Sequence, residues 1–349
     1  GNGIDPVEMI DKYGADAVRY SLMILTREGQ DVKLAENRFE LGQRFCNKIW
    51  NAARFVLQNL EGEIAPAEQQ DDSLEGRWIR ARLHAAADEV HRALETYEFH
   101  DAASALYRFT WDDFCDWYVE SAKRRMRSDP ATAGRVRRTL GETRSALLRM
   151  LHPFTPFLTE ALWAELPVDF RAKSELLLTA PWPADAGTQD ATALRHFAQL
   201  QDAVRALRNV QALLEIAPAD RPTALLLCEE SASASLLTTE SELLSHLARC
   251  GELEVRHGGS KPAGCGTDVF TGGSVFLPLP ASADPERLRA SLAKKLERVE
   301  QGARATEAKL ANERFLANAE VEVVTAERER LETLQHEGAI LRANLALLG

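Results

Sequence analysis

The stretch KLANERFLANAE, Lys309–Glu320, interrupts two long charged segments whose apolar residues otherwise keep a steady beat. Upstream, Leu292, Leu296, Val299, Ala303, Thr306 and Leu310 are spaced 4, 3, 4, 3 and 4. Downstream, Val324, Arg328, Leu331, Leu334, Gly338, Leu341, Leu345 and Leu348 are spaced 4, 3, 3, 4, 3, 4 and 3. Both are heptad seams, the spacing that keeps one stripe of a helix facing a partner helix. One reversal near Ala317 sets Leu310 opposite Val324, Ala303 opposite Leu331 and Leu296 opposite Gly338, with Leu292–Leu341 and Val299–Leu334 one place off. A single turn that satisfies five pairs predicts an antiparallel two-helix coiled coil. Roughly 27 residues at about 1.5 Å each make an arm of about 40 Å.

The two arm helices differ in charge. From Arg287 to Lys309 seven basic residues face three acidic ones, a net of +4, whereas Glu320 to Gly349 carries three Arg against six Glu, a net of −3. Opposite signs steer two helices into register. A basic helix along a projecting arm is also suited to lie against a nucleic-acid backbone.

Upstream of the arm the pattern changes to short strands: PTALLLC (222–228), LEVRH (253–257), CGTDVF (265–270) and SVFLPLP (274–280). The last two flank TGG, a hairpin signal. A helix at 238–249 completes a small α/β module, and a helix at 189–214 leads into it. Before that the chain reads as helix with short connections. Asp5 followed by Pro6 marks a helix start and Gly14 a break. A strong amphipathic helix spans 36–60, with Leu41, Phe45, Ile49, Ala52, Val56 and Leu60 on one stripe. Segment 61–72 reads as a linker. Further helices are predicted at 73–98, 101–127, 131–151 and 156–166, and SELLLTAPWP (174–183) as an extended closing segment. The fold class is mainly α: a helical bundle, a small α/β module and a two-helix coiled coil.

The 349 residues carry a net charge of −11 with 45% apolar residues, and no run of eighteen apolar residues occurs. The start, GNGIDPVEMIDKYGADAVRY, has no apolar core of a signal peptide and reads as a piece of something longer. Cys46, Cys115, Cys228, Cys250 and Cys265 are scattered and lack any CxxC, which fits reduced structural thiols in a cytosolic setting better than zinc or disulfides. There is no nucleophile elbow, HExxH, Walker loop or glycine-rich dinucleotide turn, and His152 in HPFTPF reads as structural, so no catalytic residue is assigned. No metal site is expected.

Polyanion binding has more support. On the 36–60 helix, Arg44, Lys48, Asn51 and Phe55 are spaced 4, 3 and 4. Cations hold phosphates, an amide reads base edges and a ring stacks on an unpaired base. The plainer alternative puts Phe55 in the core and leaves the polar residues as a solvated face. Between Ser121 and Arg149 nine basic residues (Lys123, Arg124, Arg125, Arg127, Arg135, Arg137, Arg138, Arg144, Arg149) face two acidic ones, a net of +7. Such a window attracts a polyanion whatever the overall sign.

Several phrases together resemble the valyl-tRNA synthetase family of class I aminoacyl-tRNA synthetases. GNGIDPVEMIDKYGADAVRY resembles the segment that follows the KMSKS signature. GQD (29–31) with RFCNKIWNAARFVL (44–57), FCDWYVESAK (114–123) and LHPFTPFLTEALW (151–163) resemble landmarks of the anticodon-binding bundle. RALRN (205–209), with Pro218 and Arg221-Pro222, resembles the helix after it. KLANERFLANAE with VVTAERERL resembles the tip and return helix of the tRNA-binding arm. The similarity covers almost the whole chain and is weakest over 215–280. One departure is Gly3, where the family has a branched apolar residue.

The resemblance implies a division into 1–35 (end of the catalytic region and stem-contact helices), 36–186 (anticodon-binding bundle), 187–283 (helix plus α/β module) and 284–349 (arm). It implies an enzyme that joins valine to tRNA(Val) with ATP and Mg through a valyl-adenylate, in a catalytic domain upstream of Gly1. The chain alone would bind no cofactor. The expected RNA contacts are Arg38, Arg44, Lys48, Asn51, Phe55, Lys123, Arg124, Arg127, Arg135 and Arg138 in the bundle. In the arm they are Arg287, Lys294, Lys295, Arg298 and Lys309, facing the outer corner of the tRNA. Phe315 and Leu316 either staple the tip or stack at that corner. A cytoplasmic monomer without membrane contact is expected. The alternatives are the tRNA-binding part of an isoleucine or leucine ligase, or a non-catalytic RNA- or protein-binding scaffold.

Overall fold

The computed structural model describes residues 4–26, 34–183, 188–217, 219–280, 284–319 and 321–347; Gly3, the phrase at 29–31, Pro218 and Leu348 lie outside them. The chain divides into two units, Gly1–Phe197 and Ala198–Gly349.

The first unit is a helical bundle: α1 (Pro6–Tyr13), α2 (Ala15–Leu25), α3 (Phe39–Asn59), α4 (Leu74–Glu95), α5 (Phe99–Arg108), α6 (Val119–Ser128), α7 (Ala133–Leu151) and α8 (Pro156–Ala164). The start of α1 follows the sequence signal, since Asp5 accepts the Val7 N–H at 2.8 Å and Pro6 needs no amide partner. Gly14, at φ 93°, separates α1 from α2. The α3 stripe is modified at its edges. Phe39, Gly42, Phe45, Ile49, Ala53 and Val56 are buried, with Ala53 rather than Ala52 inward, while Leu41 is 36% exposed. Helix α3 crosses α2 so closely that a Cβ on Gly42 would lie 2.1 Å from the Ala17 carbonyl oxygen. The Gly42 N–H donates to Ser21 Oγ there, at 3.1 Å.

The predicted helix over 101–127 is continuous but not uniform. Between α5 and α6, residues Phe109–Tyr118 wind as a π-helix. That wider turn buries Phe114, Trp117 and Tyr118 while directing Trp111 and Asp116 toward α3. The expected extended segment over 174–183 is instead organised around a 3-10 turn at Leu177–Thr179, because the Glu160 carboxylate accepts the Leu177 and Leu178 N–H groups.

Helix α9 (Ala191–Leu213) contains the boundary between units. The second unit holds β1 (Ala224–Cys228), α10 (Ser231–Thr239), α11 (Ser241–Ala248), β2 (Leu253–His257), β3 (Cys265–Phe270) and β4 (Gly273–Pro278). The strands form one mixed sheet in the order β2-β1-β4-β3. β1 and β2 are parallel, as their helical crossover requires, and β3–β4 is the hairpin that TGG announces. Two helices replace the single one expected at 238–249. Edge strand β3 is closed by a side chain: Asn344 accepts the Thr267 N–H and donates to the Thr267 carbonyl, both at 2.7 Å. An amide thereby pairs the strand as a neighbouring strand would.

Asn344 belongs to the arm, which comprises α12 (Pro285–Leu310), α13 (Glu313–Asn318) and α14 (Val321–Leu347). Helices α12 and α14 pack against each other, as the seams predict, but in a different register. Val299 lies 3.7 Å from where a Gly338 Cβ would be, and Leu334 lies 3.5 Å from that of Gly302. Lys309–Glu327 at 2.5 Å follows the same offset, while Arg342 reaches diagonally along the pair to Glu300 at 3.0 Å. Relative to the expected Val299–Leu334 and Leu296–Gly338 pairs, the return helix is displaced by about three residues, just under one turn. Between the two long helices the tip forms its own short helix, α13, capped by Asn312. A heptad seam tolerates the shift because a three-residue slip carries one apolar position onto the next.

Candidate nucleic-acid interface

Helix α3 carries the row Arg44, Lys48, Asn51 and Phe55, preceded by Arg38 at the end of a 3-10 turn, Glu36–Arg38. Arg38, Arg44 and Asn51 are exposed, while Lys48 and Phe55 are half-buried. Arg44 is tied to Glu40 at 2.9 Å, a solvated pair one turn away. Lys48 is held more firmly. Its ammonium lies 2.7 Å from Asp116 and 4.7 Å above the centre of Trp111. Trp111 stacks on Tyr107 at 5.5 Å, Tyr107 on Phe45 at 5.1 Å, and Phe45 on Tyr20 at 4.3 Å. A column of rings thus runs from the buried core to the underside of one lysine.

Phe55 is neither core nor free. The Lys123 ammonium sits 4.3 Å over its ring and is bound in turn to Glu120 at 2.7 Å. The arrangement repeats in reverse sense: α3 supplies the cation at Lys48 and the ring at Phe55, and the facing strand of helix supplies the opposite member each time. One exposed aromatic on α3 escaped the sequence reading. Trp50 is 44% exposed beside Asn51, and its place in a helix of apolar period gave no signal of that.

The +7 window is largely consumed inside the bundle. Arg144 is 2% exposed and donates to the Leu162 carbonyl, and burial lowers its pKa to about 10. Arg125 approaches Asp71 at 3.8 Å and Glu75 at 3.7 Å, both acids being buried. Burial raises the Glu75 carboxyl, against the pull of Arg125. Arg137 donates to the Asn59 and Glu63 carbonyls. Arg138 donates to the Ala65 carbonyl while lying over Phe170. Arg149 donates to Ser145 and Pro181. Arg124 is half-buried. Arg127 and Arg135 remain exposed and make no ion pair among the described residues. The window does not act as one field, because most of its guanidinium groups fasten helix ends and loops.

On the arm, Arg287, Lys294, Lys295 and Arg298 are exposed and unpaired among the described residues. Lys309 is bound to Glu327 and lies 4.8 Å from the centre of the Phe315 ring, which fastens Phe315 to the tip. Leu316, 41% exposed, is not fastened in this way. Among the described residues no three His, Cys, Asp or Glu gather as metal ligands, and no helix is long and apolar enough to cross a membrane. His152 Nδ1 lies 2.9 Å from Thr159 Oγ1, and burial lowers its pKa. The Cys46 and Cys115 thiols are pushed up to about 12 by burial, which leaves them unreactive.

Two family patterns match the chain: an anticodon-binding domain of tRNA ligases over residues 76–226 and a valyl tRNA synthetase tRNA binding arm over 284–349. The chain is 36% identical to a valine–tRNA ligase of Carboxydothermus hydrogenoformans, over 100% of this chain and 39% of that protein. It is 37% identical to the one of Geobacter sulfurreducens, over 99% of this chain and 39% of that protein. For Thermotoga maritima the identity is 38%, over 99% of this chain and 38% of that protein. The chain therefore spans about two fifths of the length of these relatives and matches their C-terminal part.

Proposed function

We propose that this chain, which carries the anticodon-binding domain and the tRNA-binding arm of the valine–tRNA ligases, acts as the tRNA-recognition part of such an enzyme. The whole protein would join valine to tRNA(Val) with ATP and Mg through a valyl-adenylate, using a catalytic region not present here. No cluster of carboxylates or imidazoles among the described residues is suited to Mg, so no step of that chemistry is assigned to them. The work of this chain is binding. In the bundle, Lys48, Asn51 and Phe55 offer a cation, an amide and a ring along one helix, a set suited to unpaired bases of an anticodon loop. On the arm, Arg287, Lys294, Lys295 and Arg298 offer charge without base-reading groups, a set suited to phosphates at the outer corner of the tRNA. The protein would work as a cytoplasmic monomer.

The observation that carries this reading is the arm: a matched tRNA-binding region whose first helix leaves Arg287, Lys294, Lys295 and Arg298 exposed and, among the described residues, unpaired. Binding of the 349-residue chain to a tRNA(Val) transcript, compared with the same transcript bearing a replaced anticodon, tests it. The expected result is a marked preference for the intact anticodon, together with no valine-dependent ATP–pyrophosphate exchange. Equal binding of both transcripts, or robust exchange, would contradict the reading.

A further inference from the structure

Two cations on the proposed RNA face are already occupied by carboxylates. Lys48 is bound to Asp116 and Lys123 to Glu120, each at 2.7 Å, and each ammonium also lies on a ring, Trp111 or Phe55. The side chains are 30% and 48% exposed in the first pair and 31% and 46% in the second. Ion pairs this exposed contribute little to stability. They are thus weak fasteners. Each nevertheless cancels a charge where a polyanion would dock, and a phosphate that reaches either lysine must sit beside a carboxylate.

We propose that Asp116 and Glu120 are specificity-determining residues: they guard Lys48 and Lys123 so that the lysines engage RNA only when correct bases repay the displacement. The proposal rests on the RNA-facing reading of α3. A ligand offering phosphates alone gains one attraction and meets one repulsion at each lysine. A ligand that also supplies a base to Asn51 and to the Phe55 ring, once Lys123 leaves it, gains contacts that the carboxylates do not oppose. Specificity is a difference of affinities, and a repulsive element raises it by weakening the wrong partner more than the right one. At Lys48 the π-helix delivers both Trp111 and Asp116, whereas Glu120 and Lys123 are neighbours one turn apart on α6.

The test compares the full chain with Asp116→Asn, Glu120→Gln and the double variant. Glu254→Gln, which removes one exposed charge in the other unit, controls for net charge. The probes are a tRNA(Val) transcript and the same transcript with its anticodon replaced, each titrated at several salt concentrations. The double variant is expected to bind the anticodon-replaced transcript roughly threefold to tenfold more tightly and the intact one by a smaller factor, so discrimination narrows. The salt dependence should steepen by about 0.7 for each lysine released. A merely structural role would lower the unfolding temperature and weaken both transcripts equally, which would overturn the proposal. Unchanged affinities, or equal tightening of both transcripts, would overturn it as well. If the parent chain itself does not distinguish the transcripts, the reading of α3 fails, and this proposal with it. Discrimination in the parent that persists undiminished in the variants defeats this proposal alone.

Discussion

A lysine over an aromatic face is a modest contact, about 0.5–2 kcal/mol depending on desolvation. Here such contacts decide where candidate residues stand. The spacing of Phe55 left two readings open, a core ring or a free one, and the structure supplies a third, a ring covered by Lys123. No pattern in one helix could reveal this, because the covering cation comes from another. Gly42 shows the reverse, a residue whose side chain had to be absent. Gly42→Ala would drive a methyl against the Ala17 carbonyl oxygen and is expected to destabilise by about 1–3 kcal/mol in denaturant unfolding. A loss below about 0.5 kcal/mol would mean α2 yields easily. Glu75 offers a pH test. Burial raises its folded pKa above the unfolded value of 4.5, so the native state holds its proton longer. Its stabilising contribution is present below that unfolded value and is lost as pH rises through the folded value. Thermal unfolding followed upward from pH 4.5 should show a smaller loss of stability in Glu75→Gln than in the parent, and identical slopes would refute the assignment.

Among elements, the arm was the most legible and still instructive in its error. Heptad spacing specified two facing helices, but the slip of about one turn was beyond it, because every apolar position in a seam resembles the next. The Lys309–Glu327 pair and the close approach of Leu334 to Gly302 identify the register adopted. The π-helix was also unreadable, since its apolar residues over ten positions fit an α-helix equally well. A third element-level feature is the closure of β3 by α14. Asn344 is buried and satisfies both backbone groups of Thr267, so Asn344→Ala strands an N–H and a C=O. The expected cost is about 2–4 kcal/mol, from two unsatisfied groups at about 1–3 kcal/mol each, less whatever water recovers. Amide exchange at Thr267 should accelerate with it, and continued protection would show that another group closes the edge.

For the whole molecule, charge was the misleading average. A net of −11 conceals exposed cations on α12, while a window of +7 conceals guanidinium groups spent on carbonyls and buried acids. Replacing Lys294, Lys295 and Arg298 together by Gln should weaken tRNA binding and reduce the slope of log affinity against log salt by about 2–3. Thermal stability should change little, because these side chains are exposed and, among the described residues, unpaired. An unaltered slope would make the arm a spacer and remove it from the binding surface. The sequence by itself determined the helical bundle, the four strands and the two-helix arm. Helix caps, periodicity and turn residues act over a few neighbours, and those neighbours are all written in order. Only the tertiary structure decided the arm's register, the π-helix and which cations face outward. Each of these depends on a partner distant along the chain, Asp116 for Lys48, Phe55 for Lys123, Leu162 for Arg144, and a charge is free or spent according to what the fold brings within about 3 Å of it.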